Sequence, residues 1–326
     1  MRFGVVLQGV DSPAEFGELV DLIDEAGFDD LWLTDSSLHA RDPYVYLTLA
    51  AGRSTRLRLG TAVTNPLTRH PAITASTAAT MADVAAGRFV LGIGAGDRPL
   101  HELGLRPARL AELESAIDAI RRLLAGETVR HSDKFTVDGG LRCASSHRIP
   151  VFMSASGPRT LALAGRIADG VILLAGLHPA CVRFALDHIE RGASEAGRAR
   201  PHVAVVAYGA IDEDERRALT AAAPIAAWFP QTAPVYCELA GLDPAIVRRV
   251  RATYAGGEFQ EATAAGELIP ADFVRRMALA GGREHASTHL RNLIDVGVDA
   301  VHVFPLGPNR TGTIRAFAEC WHAVTA

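Results

Sequence analysis

Leu57–Asp97 reads LRLGTAVTNPLTRHPAITASTAATMADVAAGRFVLGIGAGD. The apolar run Leu57–Val63 gives way to a polar turn. A helical stretch follows from Pro71 to about Ala85 and is closed by Gly87. Arg88–Ile93 is a second apolar run, ending in Gly94-Ala95-Gly96-Asp97. Two strands joined by one helix lie parallel in one sheet. Their carboxyl ends carry Thr64-Asn65-Pro66 and Gly94-Ala95-Gly96-Asp97. In parallel α/β folds that edge is where ligands bind.

The same unit recurs along the chain. Phe3–Leu7 is a nearly continuous apolar run, as expected of a strand buried on both faces. Asp11-Ser12-Pro13 opens a helix with a cap and a first-turn proline, its apolar face is Phe16, Leu19, Val20 and Ile23, and Gly27 ends it. Asp30–Thr34 is the next strand, and Asp42-Pro43 starts the next helix. Leu110–Leu124 is strongly amphipathic, with Leu113, Ile117, Ile120 and Leu124 on one face. Strand centres fall at Phe3, Leu31, Leu59, Val90, Val151, Val171, Val203 and Val301. Eight parallel strands alternating with helices predict a (β/α)8 TIM barrel, with an open doubly wound sheet as the alternative. Two excursions are expected within one domain spanning residues 1–326. One is a β-hairpin at about 127–143; the other is a helical insertion at about 212–282, before the last strand.

Composition narrows the class. Lys plus Arg total 33 against 37 Asp plus Glu, for a net charge of −4, which argues against a general nucleic-acid binder. The four cysteines are scattered and include no CxxC, so no metal knuckle is expected and a reducing compartment is. The chain opens directly on a strand and holds no apolar span of about 20 residues, so the expectation is a cytoplasmic protein without a membrane segment.

The predicted strand ends are rich in small residues and poor in nucleophiles. No HExxH and no GxSxG occurs. Small residues at a rim let a flat ring approach the backbone, which favours a planar cofactor over covalent side-chain catalysis. Gly92–Gly96 contains GxGxG but lacks the dinucleotide spacing. Asp97 is a candidate acid or cofactor ligand, or simply the cap of the next turn. Asp35 stands at a strand end, where a carboxylate meets a ligand or a helix N-terminus. Ser154-Ala155-Ser156-Gly157-Pro158-Arg159 precedes a helix, so its amides and Arg159 could cradle a phosphate, or cap the helix. Gly176-Leu177-His178-Pro179 repeats that arrangement one strand later. Trp32, Trp228 and Trp321 are expected in cores, although Trp228 and Phe229 in the insertion could instead roof a pocket.

Four segments in fixed order carry a family resemblance: Arg41–Ala51 (RDPYVYLTLAA), Leu59–Ala72 (LGTAVTNPLTRHPA), Gly87–Asp97 (GRFVLGIGAGD) and Ser156–Leu173 (SGPRTLALAGRIADGVIL). Together they resemble the bacterial luciferase-like superfamily, and within it the methylenetetrahydromethanopterin-reductase-like branch, whose members use the deazaflavin coenzyme F420. The resemblance implies a (β/α)8 barrel, usually dimeric, with the deazaflavin ring across the carboxyl-end rim. It also implies a non-proline cis peptide in the third strand, which by position is Ala62–Val63. The family's ring and tail contacts map onto Asp35, Ala62, Val63, Asn65, Ala95, Gly96, Asp97, Ser154, Ala155, Ser156 and Gly157. Some positions depart from the branch. The reductase-like pattern has a Glu near the end of strand one, where Val6 and Gln8 stand here. The F420-dependent glucose-6-phosphate dehydrogenases have a His after the strand-two Asp and a Lys after strand six, where this chain has Ser36 and Leu177. Neither substrate carries over.

The function expected is F420-dependent hydride transfer to or from a small organic substrate in a homodimer. Asp97 is the expected proton donor. Asp35 is expected to hold the cofactor, His39 is a candidate on the substrate side, and Arg159 and Gly176 are further cofactor candidates. The alternatives are an FMN-dependent monooxygenase of the same superfamily and a carrier that binds a flavin or deazaflavin without turnover.

Overall fold

The computed structural model describes residues 1–131, 134–254 and 262–326. Parts of both excursions, residues 132–133 of the hairpin and 255–261 of the insertion, lie outside the described residues. The barrel strands are β1 (Arg2–Leu7), β2 (Asp30–Leu33), β3 (Arg58–Thr61), β4 (Phe89–Ile93), β5 (Val151–Ala155), β6 (Gly170–Leu173), β7 (His202–Ile211) and β8 (Ala300–Pro305). Each pairs in parallel with the next, and β8 pairs with β1, so the sheet closes into the expected TIM barrel. All eight expected strand centres lie in these strands.

Local sequence explains why each unit starts and stops where it does. The helix Pro13–Glu25 begins in a full capping box, with Ser12 and Glu15 each accepting from the other's backbone. Asp42 caps the helix Pro43–Arg53 by accepting from the amides of Tyr44 and Val45. The 3.6-residue period buries one face of each helix against the outside of the strands. The strands, covered on both faces, send alternate side chains to this helical layer and to the barrel interior. The interior column holds Val6, Trp32, Val90, Phe152, Ile172 and Val206. Gly60 makes room for it, because a Cβ there would sit 2.9 Å from the Trp32 indole.

The floor of the barrel is charged. Asp30, fully buried at the start of β2, accepts from Arg58 Nε at 2.6 Å, Arg2 Nη2 at 3.1 Å and His302 Nε2 at 3.1 Å. Burial works to raise the pKa of this carboxyl. The bonds from His302 and Arg58 outweigh it and hold the group well below the usual carboxylate range. This cluster sits at the amino ends of the strands, where barrels place stability rather than chemistry.

Two segments differ from the expected pattern. The hairpin is present as Val129–His131 paired antiparallel with Val137–Gly139. The insertion is not purely helical. Strand β7 runs on past Ala207 to Ile211, and Leu279–Gly281 adds to it in parallel as a ninth strand of the same sheet. Gly209 permits this, since a Cβ there would run into the Leu279 backbone. Among the described residues no helix is long and apolar enough to cross a membrane.

Candidate active site at the carboxyl-end mouth

The mouth of the barrel opens above Ala62, Val63, Tyr208 and Leu306, which pack on the upper end of the interior column. The Ala62–Val63 peptide is cis, at the position the family resemblance implied. It follows β3 directly, and Thr64 then rejoins β4 through a single bridge to Ile93. The Thr64 amide donates to Gly92 O at 3.0 Å, and the Gly94 amide donates to Thr64 O at 2.9 Å.

The glycines of Gly92–Gly96 do different work. A Cβ on Gly92 would collide with the Thr61 carbonyl, so this glycine lets β3 and β4 approach. Gly94 lies on the inward row, and a Cβ there would stand 2.9 Å from Val63 Cγ2 and 3.3 Å from Ser154 Cβ. The wall from β3 to β5 is therefore kept free of a side chain between Val63 and Ser154. Gly96 has φ +81°, a left-handed conformation glycine adopts without cost, and turns the chain toward Asp97. Asp97 is exposed on the lip, and its carbonyl accepts from the Leu100 amide at 3.1 Å. Ala95 is half-buried, and its carbonyl is taken by the Ala108 amide at 2.8 Å.

Asp35 is only 7% exposed and already engaged. Its Oδ2 accepts from Thr64 Oγ1 at 2.8 Å and from Arg69 Nε at 2.8 Å. Arg69 also donates to Asp42 Oδ2 at 2.6 Å and lies 4.8 Å from the centre of the Tyr44 ring. Burial would raise the Asp42 carboxyl, but Arg69 and the capped amides hold it below its usual range. Burial likewise pushes the Tyr44 hydroxyl up, helped by the Asp35 charge. This network locks the loop after β3 to the loop after β2. The sequence reading missed Arg69, whose partner is 34 residues away. Asn65 is buried, and its side-chain oxygen is used within its own turn, accepting from Leu67 and Thr68 amides.

His39 lies on the β2 loop and meets Glu102, from the helix that follows Asp97, at 2.7 Å. It bridges two loops of the rim. Thr34 was also missed. It follows Trp32 on the inward row of β2, and its Oγ1 is buried with no hydrogen-bond partner among the described residues. A buried hydroxyl at the mouth without a partner is a place for a ligand's polar edge.

On β5, Ser154 is half-buried on the inward row, while Ala155 packs into the outer core and can offer only its backbone. Ser156 O accepts from the Tyr236 hydroxyl at 2.6 Å, so the insertion pins this turn. Gly157 begins the helix Pro158–Ile167 with no side-chain cap, which leaves its first amides open to an anion. Arg159 is exposed in the same turn. Gly176 has φ +73° and is buried against Met277 of the insertion, so its small size serves that packing. Trp228 is buried in the core, as expected, and Phe229 is buried with it, so neither stands free as a roof over the mouth. Among the described residues no cluster of His, Cys, Asp and Glu is placed to hold a metal.

A closed parallel eight-stranded barrel with its candidate site at the carboxyl-end mouth is the architecture that the luciferase-like resemblance implied. The luciferase-like monooxygenase family model matches residues 1–300, and the chain belongs to that family. It is 32% identical over 326 residues to 5,10-methylenetetrahydromethanopterin reductase of Methanolobus tindarius, covering 98% of this chain and 99% of that one. The structure of coenzyme F420 dependent tetrahydromethanopterin reductase from Methanopyrus kandleri matches with a TM-score of 0.83 at 28% identity, covering 98% of this chain and 97% of that one. A stretch of 225 residues is 35% identical to F420-dependent glucose-6-phosphate dehydrogenase of Microbacterium testaceum, covering 62% of this chain and 66% of that protein.

Proposed function

We propose that this protein is an F420-dependent oxidoreductase acting on a small organic substrate. The observation that carries the reading is the inward face at Gly94, where no side chain stands between Val63 and Ser154 at the mouth of the barrel. It suits a flat tricyclic ring, and the reductase structure named as coenzyme F420 dependent matches over 98% of this chain. The orphaned Thr34 hydroxyl and the open amides at Gly157 fit a ring edge and a phosphate respectively.

When bound, F420 supplies or accepts the hydride. The chain's own residues orient and enclose. Val63 and Gly94 would back the ring, Thr34 Oγ1 would donate to its polar edge, and the amides from Gly157 onward would hold the phosphate with Arg159. Asp35 acts as a positioning residue, because its oxygens hold Thr64 and Arg69. Asp97 on the lip is the proton donor or acceptor, and His39 with Glu102 borders the substrate side. Holding two reactants in one geometry accounts for a large part of such a rate enhancement.

The test is direct titration of the purified protein with F420 and, separately, with FMN. Tighter F420 binding and bleaching of F420 absorbance on turnover are expected. Tighter FMN binding with oxygen-dependent turnover would replace this reading with a monooxygenase. Binding without turnover of any substrate class would leave a carrier.

The homodimer is part of the same proposal. Val45, Leu49 and Ile73 are 59%, 41% and 57% exposed on the neighbouring helices Pro43–Arg53 and Pro71–Val84. An apolar face of this kind marks an interaction surface. Light scattering should give twice the chain mass, and a Val45→Glu variant should give monomer.

A further inference from the structure

We propose that the substrate is an organic anion with an apolar body, seated between the ends of β7 and β8 with its charge on Arg216. The proposal rests on the F420 reading of the opposite wall. A cavity of about 890 Å³ lies there, bounded by Ala210, Leu306 and Pro308 on its apolar side and by Arg216, Thr220 and Asn309 on its polar side. That volume is in the range of small-molecule sites.

Charge pairing singles out Arg216. Its neighbour Arg217 is committed to Asp214 at 3.2 Å and Asp212 at 3.6 Å. Asp212 also lines the cavity, and the carboxylate it offers is engaged by Arg217. Among the described residues Arg216 has no carboxylate partner. The cavity therefore offers one unmatched guanidinium above an apolar wall. A guanidinium recognises carboxylate and phosphate groups through paired N–H donors. The charged end can lie at the solvent edge, where Arg216 is exposed, while the body lies on Ala210 and Leu306.

Topology aims that body at the mouth. In the closed order, β7 stands four strands from β3 and thus across the barrel from the Ala62–Val63 wall. Ala204, Val206 and Tyr208 form the inward row of β7, and Ala210 continues it. Leu306 packs on the same interior column as Ala62 and Val63. The cavity thus shares its inner wall with the mouth, on the face that a ring lying on β3 would present to substrate.

The experiment is calorimetric titration with 4-phenylbutyrate and with its amide, on the wild type, Arg216→Gln and Ala221→Phe. F420 binding is measured on each variant by fluorescence. The acid is expected to bind about tenfold tighter than the amide, as a charge-assisted contact would give. Arg216→Gln should erase that preference, and Ala221→Phe should abolish binding of both probes. F420 affinity should be unchanged in both variants. Equal binding of acid and amide, no binding of either, or an undiminished preference in Arg216→Gln overturns the proposal. Acid preference without F420 binding overturns the cofactor reading alone. F420 binding without acid preference overturns this inference alone.

Discussion

The substitution Gly94→Ala isolates the wall on which the functional reading rests. Gly94 does not occupy the left-handed region, so alanine imposes no backbone strain and only the methyl matters. That methyl would sit 2.9 Å from Val63 Cγ2 and 3.3 Å from Ser154 Cβ. Ordinary contact begins at 3.4 Å, so Val63 must yield by 3.4 − 2.9 = 0.5 Å and Ser154 by 0.1 Å. Val63 is half-buried at the open mouth and has room to turn. The stability loss should therefore stay near the low end for overpacking, about 1 kcal/mol. Binding should respond far more. The methyl presses on Val63, against which the ring would lie, and a displacement of about 1 Å at a reacting centre costs on the order of 10²-fold in rate. F420 affinity should fall at least about tenfold, or about 1.4 kcal/mol. The assay pairs urea unfolding with F420 fluorescence titration. Unchanged F420 affinity in Gly94→Ala would refute the placement of the ring on this wall.

Four further outcomes follow from the same geometry. Asp97→Asn should bind F420 as the wild type does but lose turnover at saturating substrate; unchanged kcat would remove Asp97 from proton transfer. Arg69→Gln leaves Asp35 buried without its cation, so stability should fall by about 3 kcal/mol in urea, with F420 affinity falling and kcat less affected. Asp30→Asn at the floor should cost about 3–5 kcal/mol in the same assay with no change in F420 affinity, since it breaks a buried ion cluster far from the mouth. Titration of His289 gives a pH dependence. Burial, and then the nearby His285, push its pKa down to about 4. A base depressed by folding contributes stability above its unfolded value of about 6.5, and that contribution is lost as pH falls toward the folded value. Urea midpoints should therefore fall between pH 6.5 and 4, and His289→Gln should flatten that slope.

The barrel was legible in the sequence because its signals are local. A buried parallel strand reads as an apolar run, and caps such as Ser12-Pro13 and Asp42-Pro43 mark the helices between. The strand Leu279–Gly281 was not legible. Three residues carry no period, and its pairing depends on Gly209, about seventy positions earlier in the chain. The site divides the same way. Gly94, Ala62 and Val63 could be placed from motif order. The partners that define their surroundings could not, because Asp35 meets Arg69 and Asp30 meets His302 only through barrel closure. Asp35 reads in sequence as a ligand for something bound. In the fold its carboxylate is already spent on Thr64 and Arg69.

That difference changes what the mouth is built to do. Three carboxylates near the mouth are matched within the protein: Asp35 and Asp42 by Arg69, and Asp11 by Arg310. Matched ions are oriented and do not need to reorganise when a ligand arrives, which is the condition for a preorganised site. What remains for binding is the Gly94 face between Val63 and Ser154, the Thr34 hydroxyl and the open amides at Gly157. A site made this way supplies orientation and one proton, and its reactivity must come from what it holds. Across the mouth, the cavity at Arg216 offers a guanidinium without a carboxylate partner among the described residues. If substrate selection and cofactor binding reside on opposite walls, they should separate under mutation. Substitutions at Gly94 should change F420 affinity and leave 4-phenylbutyrate binding intact, and Arg216→Gln should do the reverse. Loss of both ligands in either single variant would mean that the two walls form one coupled site.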